Sequence, residues 1–128
     1  MAIVPAPASS VTVLVVDDDP HIRHLITLAL LDEGFTVEQV ADGQHALERV
    51  TTSPPSLVLL DLNMPGMSGW EVHARLREIH PQVPVAYMTA GLRAREEAQR
   101  HGAAGYLAKP FDLDELVRLV RRLATTAA

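Results

Sequence analysis

Short apolar runs along the chain alternate with longer segments in which apolar residues recur every three or four positions. Residues 11–16, 35–40, 57–60, 85–88 and 105–108 form the apolar runs, which have the length of strands. The segments between them predict helices that begin near residues 20, 43, 70, 92 and 113. Five alternations of strand and helix are typical of βα units, in which right-handed crossovers place helices on both faces of a parallel sheet.

Capping residues indicate where the helices begin and end. Asp19 can accept hydrogen bonds from the first amides of the first helix, and Pro20 suits its first position. Gly34 and Gly102 end the first and fourth helices. The apolar spacing predicts buried faces made by Ile22, Leu25, Ile26 and Ala29 in the first helix, Ala46, Leu47 and Val50 in the second, and Leu113, Leu116, Val117, Val120 and Leu123 in the fifth.

The composition predicts an aliphatic core, because 48% of the 128 residues are hydrophobic and only 4% are aromatic. A chain of this length can form one compact domain. The alternation of strands and helices therefore predicts an α/β fold with a doubly wound five-stranded parallel sheet. The domain is expected to span residues 11–124, between a flexible N-terminal tail (residues 1–10) and a short C-terminal tail (residues 125–128).

Charge and cysteine content argue against several classes of protein. A net charge of -5 without a basic cluster disfavours direct nucleic-acid binding, and Arg118, Arg121 and Arg122 are too few to change this. No cysteine is available for a disulfide or a thiolate site. The chain shows no signal peptide and no apolar run long enough to span a membrane. We expect a soluble, cytoplasmic protein without membrane contact.

Polar residues follow four of the five predicted strands. Asp17 and Asp18 come after the first strand, Asp61 after the third, Thr89 after the fourth and Lys109 after the fifth. In an open parallel sheet, ligands bind beyond the carboxyl ends of the strands, at the point where the strand order reverses. With the order 2-1-3-4-5 that point lies between the first and third strands. The sequence therefore predicts a site that brings these five side chains together.

Three converging carboxylates need a compensating positive charge. Two like charges 4 Å apart repel by about 4 kcal/mol at an effective dielectric constant of 20. Lys109, the single lysine among ten arginines, supplies one compact ammonium group. Mg²⁺ could compensate the remaining negative charge, because it binds one or two carboxylates and shares oxygen ligands with phosphoryl groups. Without histidine or cysteine in the group, a zinc site is disfavoured.

Taken singly, these residues have ordinary structural explanations as a helix cap, a turn, a strand end and a surface charge. Their joint placement at four strand ends favours a functional site. We give the six histidines structural roles, and we favour solvent-exposed helix surface over a metal site for His21 and His24. Met64 and Met67 are predicted to pack in the interior, and Trp70 to be a partly buried anchor.

The segments "VLVVDDDP", "LVLLDLNMPGMSG", "VPVAYMTA" and "GYLAKPF" resemble the receiver domain of two-component response regulators, the family that includes the chemotaxis response regulator. The resemblance covers about residues 11–124, with four motifs in the same order and at the same spacings. It implies the flavodoxin-like receiver fold, a doubly wound five-stranded parallel sheet with strand order 2-1-3-4-5. The implied activity is that of a phosphoacceptor signalling domain with Mg²⁺-dependent self-phosphorylation and limited self-dephosphorylation, and not that of a conventional enzyme.

The resemblance also implies roles for individual residues. Asp61 would accept a phosphoryl group from the phosphohistidine of a sensor histidine kinase or a phosphotransfer protein. Asp17, Asp18 and Asp61 would hold Mg²⁺ together with the carbonyl oxygen of Asn63. Lys109 would stabilise charge on the transferring group.

Thr89 would donate its hydroxyl to the transferred phosphoryl group, and Tyr106 would then rotate inward as a switch. The face formed by the fourth helix, fifth strand and fifth helix would signal to a downstream protein, as a monomer or as a phosphorylation-dependent dimer. The Lys109-Pro110 peptide is cis in many members. Asn63 and Gly91 occupy positions that influence phosphate lifetime, and the bare Gly91 suggests a weakly shielded phosphoryl group.

Three other interpretations stay open. "KPFDLDEL" is similar to receivers of the nitrogen-regulation type, so the module could belong to a larger hybrid kinase or transcriptional regulator. A flavin-binding electron carrier is disfavoured because the first strand leads into aspartates, which repel phosphate, and not into a glycine-rich loop. An inactive scaffold is disfavoured because every expected site residue is present.

Overall fold

The computed structural model describes residues 11–91 and 93–126 of the chain. Its strands are β1 (Thr12–Val16), β2 (Thr36–Val40), β3 (Leu57–Asp61), β4 (Val85–Thr89) and β5 (Gly105–Ala108). Its helices are α1 (Pro20–Asp32), α2 (Gly43–Thr52), α3 (Gly69–Ile79), α4 (Ala94–His101) and α5 (Leu113–Thr126). The predicted alternation of strands and helices is confirmed, although α4 begins at Ala94 and the predicted start at Leu92 lies outside the described residues.

The strands form one parallel sheet in the order β2-β1-β3-β4-β5, as predicted. β1 pairs with β2 on one side and with β3 on the other, so the strand order reverses next to β1. Pairing of β3 with β4 and of β4 with β5 completes the sheet. The carboxyl ends of β1, β3, β4 and β5 therefore lie along one edge.

Alternating side chains of the sheet enter two separate cores. Val13 and Val15 of β1 pack with residues of α1 and α5, whereas Leu14 and Val16 pack with residues of α2 and α3. All five residues of β3 are buried, as expected for a strand covered on both faces. The sheet is therefore held from both sides, which fixes the positions of the residues at its carboxyl edge.

The helix caps and most of the predicted core are confirmed. Asp19 accepts hydrogen bonds from the amides of His21 and Ile22. The predicted face of α2 is buried, and Met64 and Met67 pack within the second core. The predicted tail 1–10 lies outside the described residues, and α5 continues to Thr126, within the predicted tail 125–128. In the described ranges, no helix has both the length and the apolar character that crossing a membrane requires.

Two predicted core positions are wrong. Leu25 is 54% exposed and Leu113 is 43% exposed, because α1 and α5 are rotated so that neighbouring positions face the sheet. Thr27 and Leu30 are buried in α1, and the Thr27 hydroxyl is satisfied by donating to the carbonyl of Arg23 at 2.7 Å. In α5 the buried residues also include Leu119 and Ala124.

A hydrogen-bonded aromatic cluster connects α3, β4 and α4. Arg77 Nη2 lies 3.2 Å from Nε2 of His73, and it also donates to the carbonyl of His101 at the end of α4. Since a guanidinium group only donates, His73 Nε2 accepts and its proton lies on Nδ1, which bonds the Tyr87 hydroxyl. Trp70 stacks on the ring of His101, with 4.1 Å between the ring centroids, and packs edge-on against Tyr87. Trp70 is half-buried, as predicted.

Burial, with smaller contributions from the charges of Arg77 and His101, lowers the pKa of His73 to about 4, below its ordinary value of 6.5. Between these two values the unfolded chain binds a proton that folded His73 does not. Stability should therefore fall as the pH falls.

We expect His73→Gln to remove this pH dependence. The wild-type protein should lose up to about 2 kcal/mol of unfolding free energy through His73 between pH 7 and pH 5, since one pKa unit corresponds to about 1.4 kcal/mol. Urea unfolding at both pH values measures the difference. His24→Gln, which changes an exposed histidine, is the matched control. Equal losses in wild type and His73→Gln would contradict the assignment.

Candidate functional site

The carboxyl edge of the sheet gathers the residues that the sequence singled out. Asp17 directly follows β1, Asp61 ends β3, Thr89 ends β4 and Lys109 directly follows β5. Asp17, Asp61 and Thr89 are buried, whereas Asp18 is exposed. The parallel sheet thus brings residues from four distant parts of the sequence together in one cleft.

Three carboxylates meet in this cleft. Asp17, Asp18 and Asp61 each offer an oxygen within 4.8 Å of the oxygens of the other two. Asp17 is fully buried and Asp61 is 2% exposed, so water screens these two charges poorly. The exposed Asp18 leaves the cluster open on one side. The group is therefore a concentrated negative site with access from solvent.

Lys109 supplies the positive charge at this site. Its Nζ lies 3.0 Å from Asp17 Oδ2 and 3.4 Å from Asp61 Oδ2. Burial alone would lower the pKa of Lys109, but hydrogen bonds and charges from both aspartates outweigh burial and raise the pKa. The ammonium group is therefore held in its charged form. The Lys109-Pro110 peptide is cis, and the Lys109 amide donates to the carbonyl of Thr89 at 2.7 Å.

The negative charge of Asp61 is only partly compensated by neighbouring groups. Burial is the largest influence on its pKa, and it raises the pKa above the ordinary value of 3.8. The charge of Asp17 acts in the same direction, while the Asn63 amide and Lys109 oppose both effects only in part. A further cation beside Asp61 would thus stabilise its ionised form.

Local hydrogen bonds orient the two buried aspartates. The Asp19 amide donates to Asp17 Oδ1 at 2.9 Å, and the Asn63 amide donates to Asp61 Oδ1 at the same distance. Arg23 Nη1 donates to the carbonyl of Asp17 at 2.7 Å. Each carboxylate keeps its second oxygen for other partners, and in both cases that oxygen faces Lys109.

The loop after β3 approaches the strand end closely. A Cβ atom on Gly69 would lie 2.6 Å from Leu62 Cδ2 and 2.7 Å from Leu62 Cα, closer than carbon atoms pack. Gly66 has φ +83°, a left-handed conformation that glycine adopts without strain. These glycines let the chain turn directly from Asp61 into α3.

Two features of the site were not predicted from the sequence. Asn63 Nδ2 donates to Thr89 Oγ1 at 3.3 Å and so connects the ends of β3 and β4. Beside this contact lies a cavity of about 450 Å³, lined in part by Trp70, Gly91 and Glu97. The only sequence signal for the cavity is the absence of a side chain at Gly91. Tyr106 lies apart from the cleft on β5, with 39% of its surface exposed.

The donor set of the cleft fits a hard cation. The clustered groups are carboxylate oxygens, the ligands that Mg²⁺ and Ca²⁺ prefer, and burial leaves Asp61 short of positive charge. Histidine and cysteine are absent from this cluster, so it does not resemble a zinc site. Asp17, Asp18 and Asp61 could therefore bind a metal ion together.

Residues 13–121 match the family model of the response regulator receiver domain. The chain belongs to this family. Receiver domains are signalling domains, and they act with histidine kinases or phosphotransfer proteins. The match confirms the resemblance inferred from the four motifs.

Among curated proteins, the receiver is 43% identical over 91% of its length to transcriptional regulatory protein TcrA of Mycobacterium tuberculosis, covering 47% of that protein. It is 40% identical to sporulation initiation phosphotransferase F of Bacillus subtilis, covering 86% of this chain and 90% of that protein. The chain thus spans about half the length of TcrA, one of the relatives that it matches.

Solved structures show the same fold. The response regulator TrrA of Thermotoga maritima, determined in complex with Mg²⁺ and BeF, aligns with a TM-score of 0.81 and 34% identity over 88% of this chain and 98% of that one. The chemotaxis protein CheY4 of Vibrio cholerae aligns with a TM-score of 0.80 and 32% identity, with the same coverage. These likenesses confirm the predicted fold.

We expect Asp61→Asn to stabilise the receiver in buffer without divalent cations. The change removes one of two buried, repelling carboxylates while the amide oxygen can still accept from Asn63, so the free energy of unfolding should rise by about 1 kcal/mol. Urea unfolding with a chelator measures it. Asp18→Asn is the control, since it removes the same charge from the exposed side and should have a smaller effect. A destabilised Asp61→Asn would show that repulsion does not dominate the cleft.

Proposed function

We propose that this receiver accepts a phosphoryl group on Asp61 from the phosphohistidine of a sensor histidine kinase or a phosphotransfer protein. The observation that carries the proposal is the placement of the Asp61 carboxylate at the open acidic cleft, with Lys109 Nζ 3.4 Å away. The family match supports the phosphoryl donor. Similarity to a protein named a phosphotransferase supports the reaction class.

We assign Mg²⁺ to the carboxylates of Asp17, Asp18 and Asp61 and to the carbonyl oxygen of Asn63. The close approach of the three carboxylates supports the assignment, as does the Mg²⁺ named in the TrrA complex. When bound, the ion neutralises charge on the phosphoryl oxygens and on the acceptor.

The chain's own residues divide the work of the transfer. An Asp61 oxygen attacks phosphorus, the phosphorus–nitrogen bond of the phosphohistidine breaks, and the imidazole leaves with the bonding electrons. The Lys109 ammonium group, already held between two carboxylates, can follow the negative charge onto a phosphoryl oxygen. Because both acceptor and cation are positioned beforehand, little reorganisation accompanies the reaction.

Thr89 and Tyr106 are proposed to transmit the result. The Thr89 hydroxyl now accepts from Asn63, so its own proton is available for a phosphoryl oxygen. Movement of Thr89 would open space at the end of β4, next to β5, and the half-exposed Tyr106 could turn towards it. The resulting change at α4, β5 and α5 would bias a two-state equilibrium for a downstream protein.

A receiver with an inactive cleft is the rival to this proposal. Incubation with acetyl phosphate should add one phosphoryl group in the presence of Mg²⁺, and intact mass would detect it. Asp61→Asn should abolish the adduct because the acceptor oxygen is lost. Asp32→Asn, which changes an exposed aspartate outside the cleft, is the control and should be modified normally. No adduct on the wild-type protein would favour the scaffold interpretation.

We expect Gly91→Arg to lengthen the lifetime of the phosphoryl group. A Cβ atom on Gly91 would lie 3.8 Å from Thr89 Oγ1, so there is room for a side chain that covers the cleft from water. Decay should slow by roughly a factor of several, a change of about 1 kcal/mol in the barrier. Intact mass followed over time after removal of acetyl phosphate measures it.

Gly91→Ala is the matched control for this experiment. It adds the Cβ atom but no group long enough to shield the phosphoryl oxygens, so its decay rate should stay near that of the wild type. An unchanged decay rate of the phosphorylated Gly91→Arg variant would contradict the shielding hypothesis.

A further inference from the structure

The three carboxylates of the acidic cleft are supported unequally. Asp17 and Asp61 each accept a hydrogen bond from a backbone amide and lie beside Lys109 Nζ. In the part of the chain that the structure describes, the Asp18 carboxylate has no hydrogen-bond or ion-pair partner. Asp18 is also exposed, so packing does not fix its side chain. The backbone of Asp18 therefore determines where this carboxylate lies.

Arg23 of α1 holds the peptide group that joins Asp17 to Asp18. Its Nη1 donates to the oxygen of this peptide group, the carbonyl of Asp17, at 2.7 Å. The Asp17 amide in turn donates to the carbonyl of Val40 in β2 at 3.3 Å. Both main-chain polar groups of Asp17 are thus bonded. Rotation of the peptide group would break the bond to Arg23 and would move Asp18.

Arg23 is itself fixed in the first turns of α1. Its amide donates to the carbonyl of Asp19 at 3.1 Å, and its carbonyl accepts from the buried Thr27 hydroxyl at 2.7 Å. The Arg23 side chain is half-buried. A charged donor also makes a stronger hydrogen bond than a neutral one. Arg23 is therefore a firm support for the peptide group that it contacts.

The contact made by Arg23 differs from that of a charge-compensating residue. Arg23 bonds the main chain of Asp17, whereas the Asp17 carboxylate contacts Lys109. None of the ion pairs formed by the described residues includes Arg23. The geometry indicates that this arginine controls the position of the chain.

We propose that Arg23 is a positioning residue for the cation site: it holds the peptide group before Asp18 and thereby keeps the Asp18 carboxylate beside those of Asp17 and Asp61. The inference rests on the proposed binding of Mg²⁺ in the cleft. The three carboxylates already offer oxygens within 4.8 Å of one another. Groups that orient metal ligands typically change metal affinity by roughly ten- to hundredfold.

The charge of Arg23 and its hydrogen bond should affect Mg²⁺ affinity in opposite directions. Loss of a positive charge near a divalent cation strengthens binding of that cation. Loss of the hydrogen bond weakens binding, because Asp18 must then be ordered when the cation binds. The sign of the change therefore distinguishes a positioning role from a purely electrostatic one.

Arg23→Gln tests the inference, because glutamine suits a helix but lacks the charge and the reach of the guanidinium group. Two-dimensional NMR spectra of the full chain, titrated with MgCl₂, should show Mg²⁺ binding weakened by about tenfold. The same spectra show whether the variant is folded. Arg23→Lys keeps the charge and one donor group, so it should recover much of the affinity.

Arg49→Gln is the matched control. Arg49 Nε lies 2.7 Å from Glu38 Oε2, so this change removes the same charge and breaks a contact between α2 and β2. Its Mg²⁺ affinity should stay within about twofold of that of the wild type. Unchanged or tighter Mg²⁺ binding by Arg23→Gln would overturn the inference, and so would equal weakening by both variants.

Backbone motion in the metal-free protein gives a second readout that needs no cation. The Asp18 amide belongs to the same planar peptide group as the Asp17 carbonyl, so its ¹⁵N relaxation reports movement of that group. Motion at Asp18 should increase in Arg23→Gln and stay unchanged in Arg49→Gln. Unchanged motion in Arg23→Gln contradicts the inference, whether or not Mg²⁺ binds.

The two readouts separate this inference from the proposed function. A wild-type protein that binds no Mg²⁺ contradicts the proposed cation binding, while increased motion at Asp18 in Arg23→Gln would still support the positioning role. A wild-type protein that binds Mg²⁺, with equal affinity in Arg23→Gln, contradicts the inference alone.

Discussion

The contact of one ammonium group with two buried carboxylates is the interaction on which the site depends. Lys109 Nζ lies 3.0 Å from Asp17 and 3.4 Å from Asp61, and both aspartates are almost completely buried. Without Lys109, two unscreened negative charges would face each other at the end of the central strands. Lys109 compensates the two carboxylates only in part, as the raised pKa of Asp61 indicates. That shortage makes the cleft receptive to a cation and a phosphoryl group.

Packing on both faces of the sheet fixes the positions of the cleft residues. Two cores hold the strands from both faces, so the carboxyl edge is fixed by aliphatic packing and not by the polar residues themselves. Replacing a polar residue of the cleft should therefore change its chemistry more than the fold. The same edge is next to parts of the structure with fewer constraints, such as the cavity at Gly91 and the start of α4, where no side chain caps the helix.

α4 is anchored unequally at its two ends. Arg77 of α3 donates to the carbonyl of His101, and Trp70 stacks on the His101 ring, so the carboxyl end is tied to the aromatic cluster. The amino end borders the cavity beside Asn63 and Thr89. A change at Thr89 would thus meet the less constrained end of α4.

The sequence by itself determined the βα alternation and the placement of Asp17, Asp61, Thr89 and Lys109 at strand ends. Both follow from hydrophobic periodicity, and the carboxyl ends of parallel strands lie at one edge of a sheet. The strand order does not follow from periodicity, and it was predicted only because the four motifs resemble those of a receiver domain. The exposure of Leu25 and Leu113 could not be predicted this way, because periodicity gives an apolar stripe but not the rotation at which a helix packs. That rotation depends on the neighbouring helix.

Only the tertiary structure decided the contacts between residues far apart in the chain. His73 and Tyr87 bond because α3 lies over β4. Asn63 meets Thr89 because β3 and β4 are adjacent, with Asp61 paired to Met88 one residue before Thr89. Nor does any sequence pattern show that Arg95 of α4 and Arg118 of α5 line one cavity. Contacts between side chains of different elements change when the elements shift by a few tenths of an ångström. Packing sets those positions, and periodicity does not encode them.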